Sequence, residues 1–288
     1  MQDERHVLAD RQAAILCGDA ATVLATLPAD FARLTVTSPP YYRHKDYRIE
    51  GQIGQEPSLA LYVERLRSVL AELFRVTTPD GACFVVIGDS YRRGSLMLVP
   101  HRIALAASEV GWVVRNDIIW RKTDPAPDSP RNRWRTCHEH VLFLTRQAKG
   151  YRFNDSAIRQ PYSDETIRRW GNGQRYGGPK SEKRASERDT RFRHGKSFLL
   201  NPDGVIPPDV WIHPSSRSTT LHYATFPAGL VRPVIAACSD PGDLVTDPFA
   251  GSGTTCVLAR EMDRRCLGIE LNPEYASMAQ DAVGKIGK

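Results

Sequence analysis

The chain has 288 residues, 41 % of them hydrophobic and 25 % charged, with a formal net charge of +6. That is ordinary globular composition, with length for a large core and an inserted lobe. No apolar run approaches the roughly eighteen residues that span a bilayer, and Met1–His6 carries no signal-peptide pattern, so a cytoplasmic protein is expected. Cys17, Cys83, Cys137, Cys238, Cys256 and Cys266 include no C-x-x-C pair, and none has a proline beside it. They read as small buried hydrophobes in a reducing compartment. The histidines show no metal-ligand spacing, and His138 and His140 read as flanking a strand.

In chain order, Ala13–Cys17 reads as a short buried strand ending at Gly18-Asp19, followed by a helical stretch to Leu27. Phe31–Thr37 is the next strand. Apolar residues at 59, 62, 66, 69, 70 and 73 keep the helical period. Thr78-Pro79-Asp80-Gly81 reads as a turn, and Ala82–Ile87 as a strand buried on both faces of a parallel sheet. Helix 99–110 and strands 113–120 and 140–145 continue the alternation. It breaks from Tyr151 to Pro214, where Gly, Arg, Ser and Pro dominate, and resumes with helix 227–238, strand 243–247, helix 253–262, strand 265–270 and a last helix capped by Asn272. The fold class is therefore α/β, Rossmann-like: a mainly parallel sheet with helices on both faces, plus a basic loop-rich insertion.

Two motifs carry chemistry. Asp247-Pro248-Phe249-Ala250-Gly251-Ser252-Gly253-Thr254-Thr255 closes a strand and opens a helix, where glycines let a ligand approach the backbone and the helix offers its amides. Glu270 ends the following strand, where an acid meets ribose hydroxyls; Cys256 replaces the third glycine of a dinucleotide fingerprint. The second motif, Ser38-Pro39-Pro40-Tyr41, follows the strand ending at Thr37. It offers a hydroxyl, a carbonyl, two stiffening prolines and a stacking ring. Charge supplies a third signal. Residues 151–200 hold twelve Lys/Arg and six acids, and the rest of the chain is neutral. A solvated loop and a phosphate-binding surface both fit this block.

Together these stretches resemble the DNA amino-methyltransferases of the N4-cytosine/N6-adenine family. Asp247–Thr255 is similar to their motif I, Glu270 to the motif II acid, and Ser38–Tyr41 to motif IV. His222–Pro227, with Phe226 and Pro227, resembles motif X around the methionine part of the cofactor, and Gly18-Asp19 the segment touching adenine. Without the resemblance, Asp19 reads as a turn residue. Gly51–Gly54, Gly88–Tyr91, Asp117–Lys122 and His138–Thr145 match as well. Motif IV preceding motif I looks like the permuted β group, and first-position serine like the N4-cytosine enzymes.

The resemblance implies S-adenosyl-L-methionine as cofactor, bound by Asp19, Phe226, Pro227, Asp247, Phe249, Gly251, Ser252, Gly253, Thr254, Thr255 and Glu270. It implies catalysis by Ser38, Pro39, Pro40 and Tyr41 on a base flipped from duplex DNA, with no metal and no covalent intermediate. Residues 1–150 and 215–288 would form the methyltransferase domain, and 151–214 the target-recognition region. Arg168, Arg169, Arg184 and Arg188 would bind DNA, with Arg131, Arg133 and Arg135 next in line. A homodimer and a cognate restriction endonuclease, in a bacterial, archaeal or phage setting, follow as expectations. Adenine N6, RNA methylation and an inactive nucleic-acid-binding relative stay open as alternatives.

Overall fold

The computed structural model describes residues 12–170, 200–215 and 226–286, and at 169 and 170 the backbone alone. Its centre is an eight-stranded sheet. Strands β1 (Ala13–Cys17), β2 (Ala32–Thr37), β3 (Thr77–Ile87), β6 (Val113–Lys122), β7 (His138–Thr145), β8 (Val210–His213), β9 (Leu244–Asp247) and β10 (Arg265–Glu270) lie in the order β1-β10-β9-β2-β3-β7-β6-β8. Five of the neighbouring pairs are parallel, and β7 runs antiparallel to both β3 and β6. A short hairpin, β4 (Tyr91–Arg92) with β5 (Ser95–Leu96), stands apart from the sheet. The mainly parallel α/β reading holds.

The helices form two packed series: α1 (Ala20–Thr26), α2 (Leu59–Val76) and α3 (Val99–Val110), then α5 (Ala228–Cys238), α6 (Thr254–Glu261) and α7 (Pro273–Gly284). Alternation along β3 feeds two faces, as the period of a strand requires. Cys83, Val85 and Ile87 join the core with Tyr62, Leu66 and Leu70 of α2, and the buried Phe84 and Val86 point the other way. Caps follow the sequence. The Asp19, Ser58 and Asn272 side chains accept from the amides of Thr22, Leu61 and Glu274, starting α1, α2 and α7.

Four sequence expectations change. Thr78–Gly81 does not form a turn but bulges within β3, whose pairing with β2 jumps from Ala32↔Thr77 to Leu34↔Ala82. The bulge wraps Arg33, whose guanidinium pairs with Asp80 and sits 3.3 Å from Asp243. His138 and His140 lie inside β7, and His140 is buried against Asp117, 2.8 Å away. Val210–His213, in a stretch read as lacking periodicity, is the edge strand beside β6; it is too short to show a period. Finally, Cys256 of α6 and Cys266 of β10 form a disulfide, with Cα atoms 5.2 Å apart, and Cys17 is exposed. These cysteines are ten residues apart in sequence, so only the βαβ turn brings them together.

The chain divides into two compact units, one comprising residues up to 154 and from 208 onward, the other 155–207. Within the smaller unit, Gln160 and Val205 exchange both backbone hydrogen bonds at 2.9 Å. Arg159 pairs with Asp155 and donates to the Gly204 carbonyl, so the two described ends of the unit are clasped together. Arg168 is exposed on the short helix α4 (Asp164–Trp170). Arg184 and Arg188 lie outside the described residues, as do His222–Thr225.

Candidate active site

Chain direction reverses its course across the sheet between β9 and β2. From β2 the chain passes to β3 on one side, and from β9 to β10 on the other. Such a switch point opens a crevice at the carboxyl ends of the strands, where ligands bind in open α/β sheets. The two motifs, some two hundred residues apart in sequence, leave these neighbouring strands side by side. Polar residues on the strands weld them: Thr35 Oγ1 and Thr246 Oγ1 share a hydrogen bond of 2.8 Å, and Thr37 Oγ1 donates to Asp247 Oδ1 at 2.7 Å. A cleft of about 840 Å³ opens here, lined by both motifs.

On the β2 side, Ser38, Pro39, Pro40 and Tyr41 all line the cleft. The Pro40 carbonyl accepts the Tyr62 hydroxyl at 2.9 Å, which braces the turn from α2. Tyr41 packs so closely on Gly88 that a Cβ there would stand 2.8 Å from its ring. Its hydroxyl donates to Glu139 Oε2 at 2.7 Å, and Glu139 in turn is paired with Lys122. Burial, and then the charge of Glu139, push the Tyr41 hydroxyl well above the usual tyrosine range, so it stays a donor. Ser38 Oγ lies 3.5 Å from the Tyr41 hydroxyl, a long contact that leaves the serine oxygen able to serve another partner. Glu139 and Lys122 had no role in the sequence reading. For Glu139 a signal was there, as an acid at the cleft end of the apolar run Val141–Leu144; Lys122, in a strand that also holds Arg115, Asp117 and Arg121, had none.

On the β9 side the glycines divide their work. Gly251 has φ +53° with open space around the direction of a side chain, and its amide donates to Glu270 Oε2 at 2.8 Å. Gly253 has φ +86°, but a Cβ there would stand 3.0 Å from Ala279, so its smallness serves the packing of α6 on α7. Asp247 is buried and faces inward. It accepts from Thr37, from Thr255 Oγ1 at 2.7 Å and from the Phe249 amide at 3.1 Å. Burial pushes its carboxyl up to about 6, against those three donors. Thr255 is fully buried and also donates to the Val36 carbonyl. Pro227 caps α5.

Asp19, Phe226, Phe249, Gly251, Ser252, Thr254 and Glu270 line the cleft together with Asp247, whereas Gly253, Thr255 and Pro227 stand behind its wall. Asp19 caps α1 and also borders the cleft. Burial raises the Glu270 carboxyl, offset by the amides of Asn272 and Gly251. Arg131 and Arg133 lie in the loop between β6 and β7. Among the described residues no cluster suits a metal ion, and no helix is long and apolar enough to cross a membrane.

Fold and cleft define a Rossmann-like methyltransferase class. A family model described as DNA methylase, for N6 and N4 methyltransferases, matches residues 32–281. The chain belongs to this family. It is 34 % identical to the type II methyltransferase M.Cfr9I of Citrobacter freundii, over 91 % of this chain and 84 % of that one. It is 32 % identical to M.SmaI of Serratia marcescens, over 95 % and 91 %. Among solved structures, it is similar to a Thermus thermophilus protein assigned as a DNA modification methylase and complexed with S-adenosyl-L-methionine. That likeness has a TM-score of 0.61 at 27 % identity, covering 96 % of this chain and 95 % of that one. The cytosine-N4-specific PvuII DNA methyltransferase shares the fold, with a TM-score of 0.66 at 21 % identity, over 94 % and 86 %.

Proposed function

We propose that the chain methylates the exocyclic N4 of cytosine at a specific site in duplex DNA, using S-adenosyl-L-methionine. Membership of the family gives the coarser activity, methyl transfer to an amino group of DNA. One observation supports this reading of the site: Ser38 and the Gly251 turn leave adjacent strands and face one cleft. The bound cofactor supplies a methyl group carried on a sulfonium. Gly251, open on its side-chain face, lets that ligand approach the backbone, and Glu270 stands where ribose hydroxyls would be met. Phe226, Phe249, Ser252 and Asp19 complete the lining; Asp247 and Thr255 hold the turn in shape.

The reacting amine is a poor nucleophile because its lone pair is delocalised into the ring. Ser38 Oγ and the Pro39 carbonyl would accept its two hydrogens, drawing the nitrogen toward sp³ geometry while Tyr41 holds the ring. Nitrogen then bonds to the methyl carbon as the carbon–sulfur bond breaks, its electron pair leaving on sulfur. The same two oxygens stabilise the cationic nitrogen more than the neutral one, and that difference is catalysis. The extra proton afterwards leaves to water. A neutral hydroxyl at the first motif position supports cytosine, since adenine-N6 relatives more often carry an acid there. Duplex DNA is the partner, held by the arginines of 151–200 and the 123–137 loop; a homodimer and a cognate endonuclease complete the proposal.

The test is to incubate the protein with labelled S-adenosyl-L-methionine and DNA, digest to nucleosides and identify the labelled one. N4-methylcytosine is expected. Label in N6-methyladenine would move the target base, and unlabelled nucleosides would remove the enzyme reading.

A further inference from the structure

Residues 123–137 leave the cleft wall at Lys122 and Ala126 and return at Glu139. Within this loop Trp134 is 94 % exposed, an indole that forgoes burial on its own chain. The loop around it is nonetheless tied by contacts of its own. Arg133 donates to the Trp134 carbonyl at 3.1 Å and to Asp128 at 2.9 Å, and its guanidinium lies 4.1 Å over the Tyr91 ring of the β4–β5 hairpin. The hairpin reaches back toward the catalytic turn through Arg92, 3.5 Å from the Tyr42 hydroxyl. Segments 91–96 and 123–137 carry five arginines and two acids. Both acids are engaged, Asp128 by Arg133 and Asp124 by the Ser215 amide at 2.5 Å. An exposed aromatic ring with exposed cations beside it and no free acid matches one chemistry, a nucleic-acid strand with an unstacked base.

We infer that this loop and hairpin form a platform for a DNA strand at the mouth of the cleft, on which Trp134 stacks against a base that has lost its neighbour. Arg133 shapes the platform, leaving the exposed Arg131 and Arg135 to meet phosphates. The inference rests on the DNA-methyltransferase reading, in which opening the target pair unstacks bases.

The test measures binding of the full chain, by fluorescence anisotropy, to a mixed-sequence 30-nucleotide single strand and to its duplex. Trp134→Ala should weaken single-strand binding by about tenfold and leave duplex binding within about twofold. Trp134→Phe should restore most of the loss. Arg131→Gln with Arg135→Gln should weaken both forms and flatten both salt dependences, by roughly 0.7 to 0.9 in log–log slope per lost phosphate contact. Unchanged single-strand affinity in Trp134→Ala, or equal losses on both forms, overturns the platform and leaves the methyltransferase reading standing. Wild-type protein that binds S-adenosyl-L-methionine by calorimetry but neither DNA form overturns both.

Discussion

Ser38–Tyr41 and Pro248–Gly253 leave adjacent parallel strands into one cleft, yet they are held differently. The first turn takes its rigidity from two prolines and from partners outside itself, Tyr62 and Glu139. Its serine oxygen has only a 3.5 Å contact. The second takes its shape from left-handed glycines and from an acid turned inward, with Asp247 accepting three hydrogen bonds. One loop keeps a side chain in reserve for a ligand. The other uses a buried side chain to hold itself and keeps open space at Gly251 for a ligand. Substitutions should therefore fail in different assays.

The largest effect belongs to the reserved side chain. Ser38→Ala should lower single-turnover methyl transfer by about 10²–10³, the scale for one transition-state hydrogen-bonding group. Cofactor affinity by calorimetry should stay near wild type. Full turnover would leave the hydroxyl without the role given to it.

The two glycines of the second loop break the comparison more finely. Gly251→Val places its side chain in open space, so the fold should survive with a modest cost for φ +53°, and cofactor affinity should be lost. Gly253→Val drives into Ala279 of α7 and should cost about 2–5 kcal/mol of stability in denaturant titration. If the two variants behave alike, the division of labour is wrong.

Much of this was legible before the structure. Helical and strand periods marked most of the sheet and its helices, because each element buries one face or two. The two motifs stood out because glycine and proline act locally. Contacts across the chain were not legible. Asp247 in sequence is an acid at the end of a strand, and which way its carboxyl turns depends on Thr37 in another strand. Likewise Glu139 and Lys122 lie just outside the strands read from sequence, 140–145 and 113–120; Glu139 meets Tyr41 because β7 lies beside β3, and Lys122 meets Glu139 because β6 lies beside β7.

The inward acid has a pH signature. Asp247 is raised to about 6, so the folded state holds its proton more tightly than the unfolded chain does. Stability from this group is then present in acid and lost as pH rises from about 4 to 6. The gap corresponds to on the order of 3 kcal/mol. Asp247→Asn should erase that part of the slope in thermal melts, whereas other carboxylates, such as Asp80 beside Arg33, are lowered and pull the opposite way. An identical slope in wild type and variant would show that Asp247 ionises as it does in the open chain.

The smallest effect separates what Glu139 does from what it touches. Its carboxylate fixes the Tyr41 hydroxyl, and Lys122 balances its charge. Glu139→Gln keeps an acceptor oxygen for Tyr41 but removes the charge. Single-turnover methyl transfer should fall only about three- to tenfold, the scale of one weakened hydrogen bond, with cofactor affinity unchanged. Tyr41→Phe removes the same contact from the other side and should cost a similar factor. Because both changes cut one link, the double variant should be little worse than the poorer single one. Additive losses would mean that Glu139 acts on the reaction by a route other than Tyr41, and the brace on the catalytic turn would then be Tyr62 and the prolines alone.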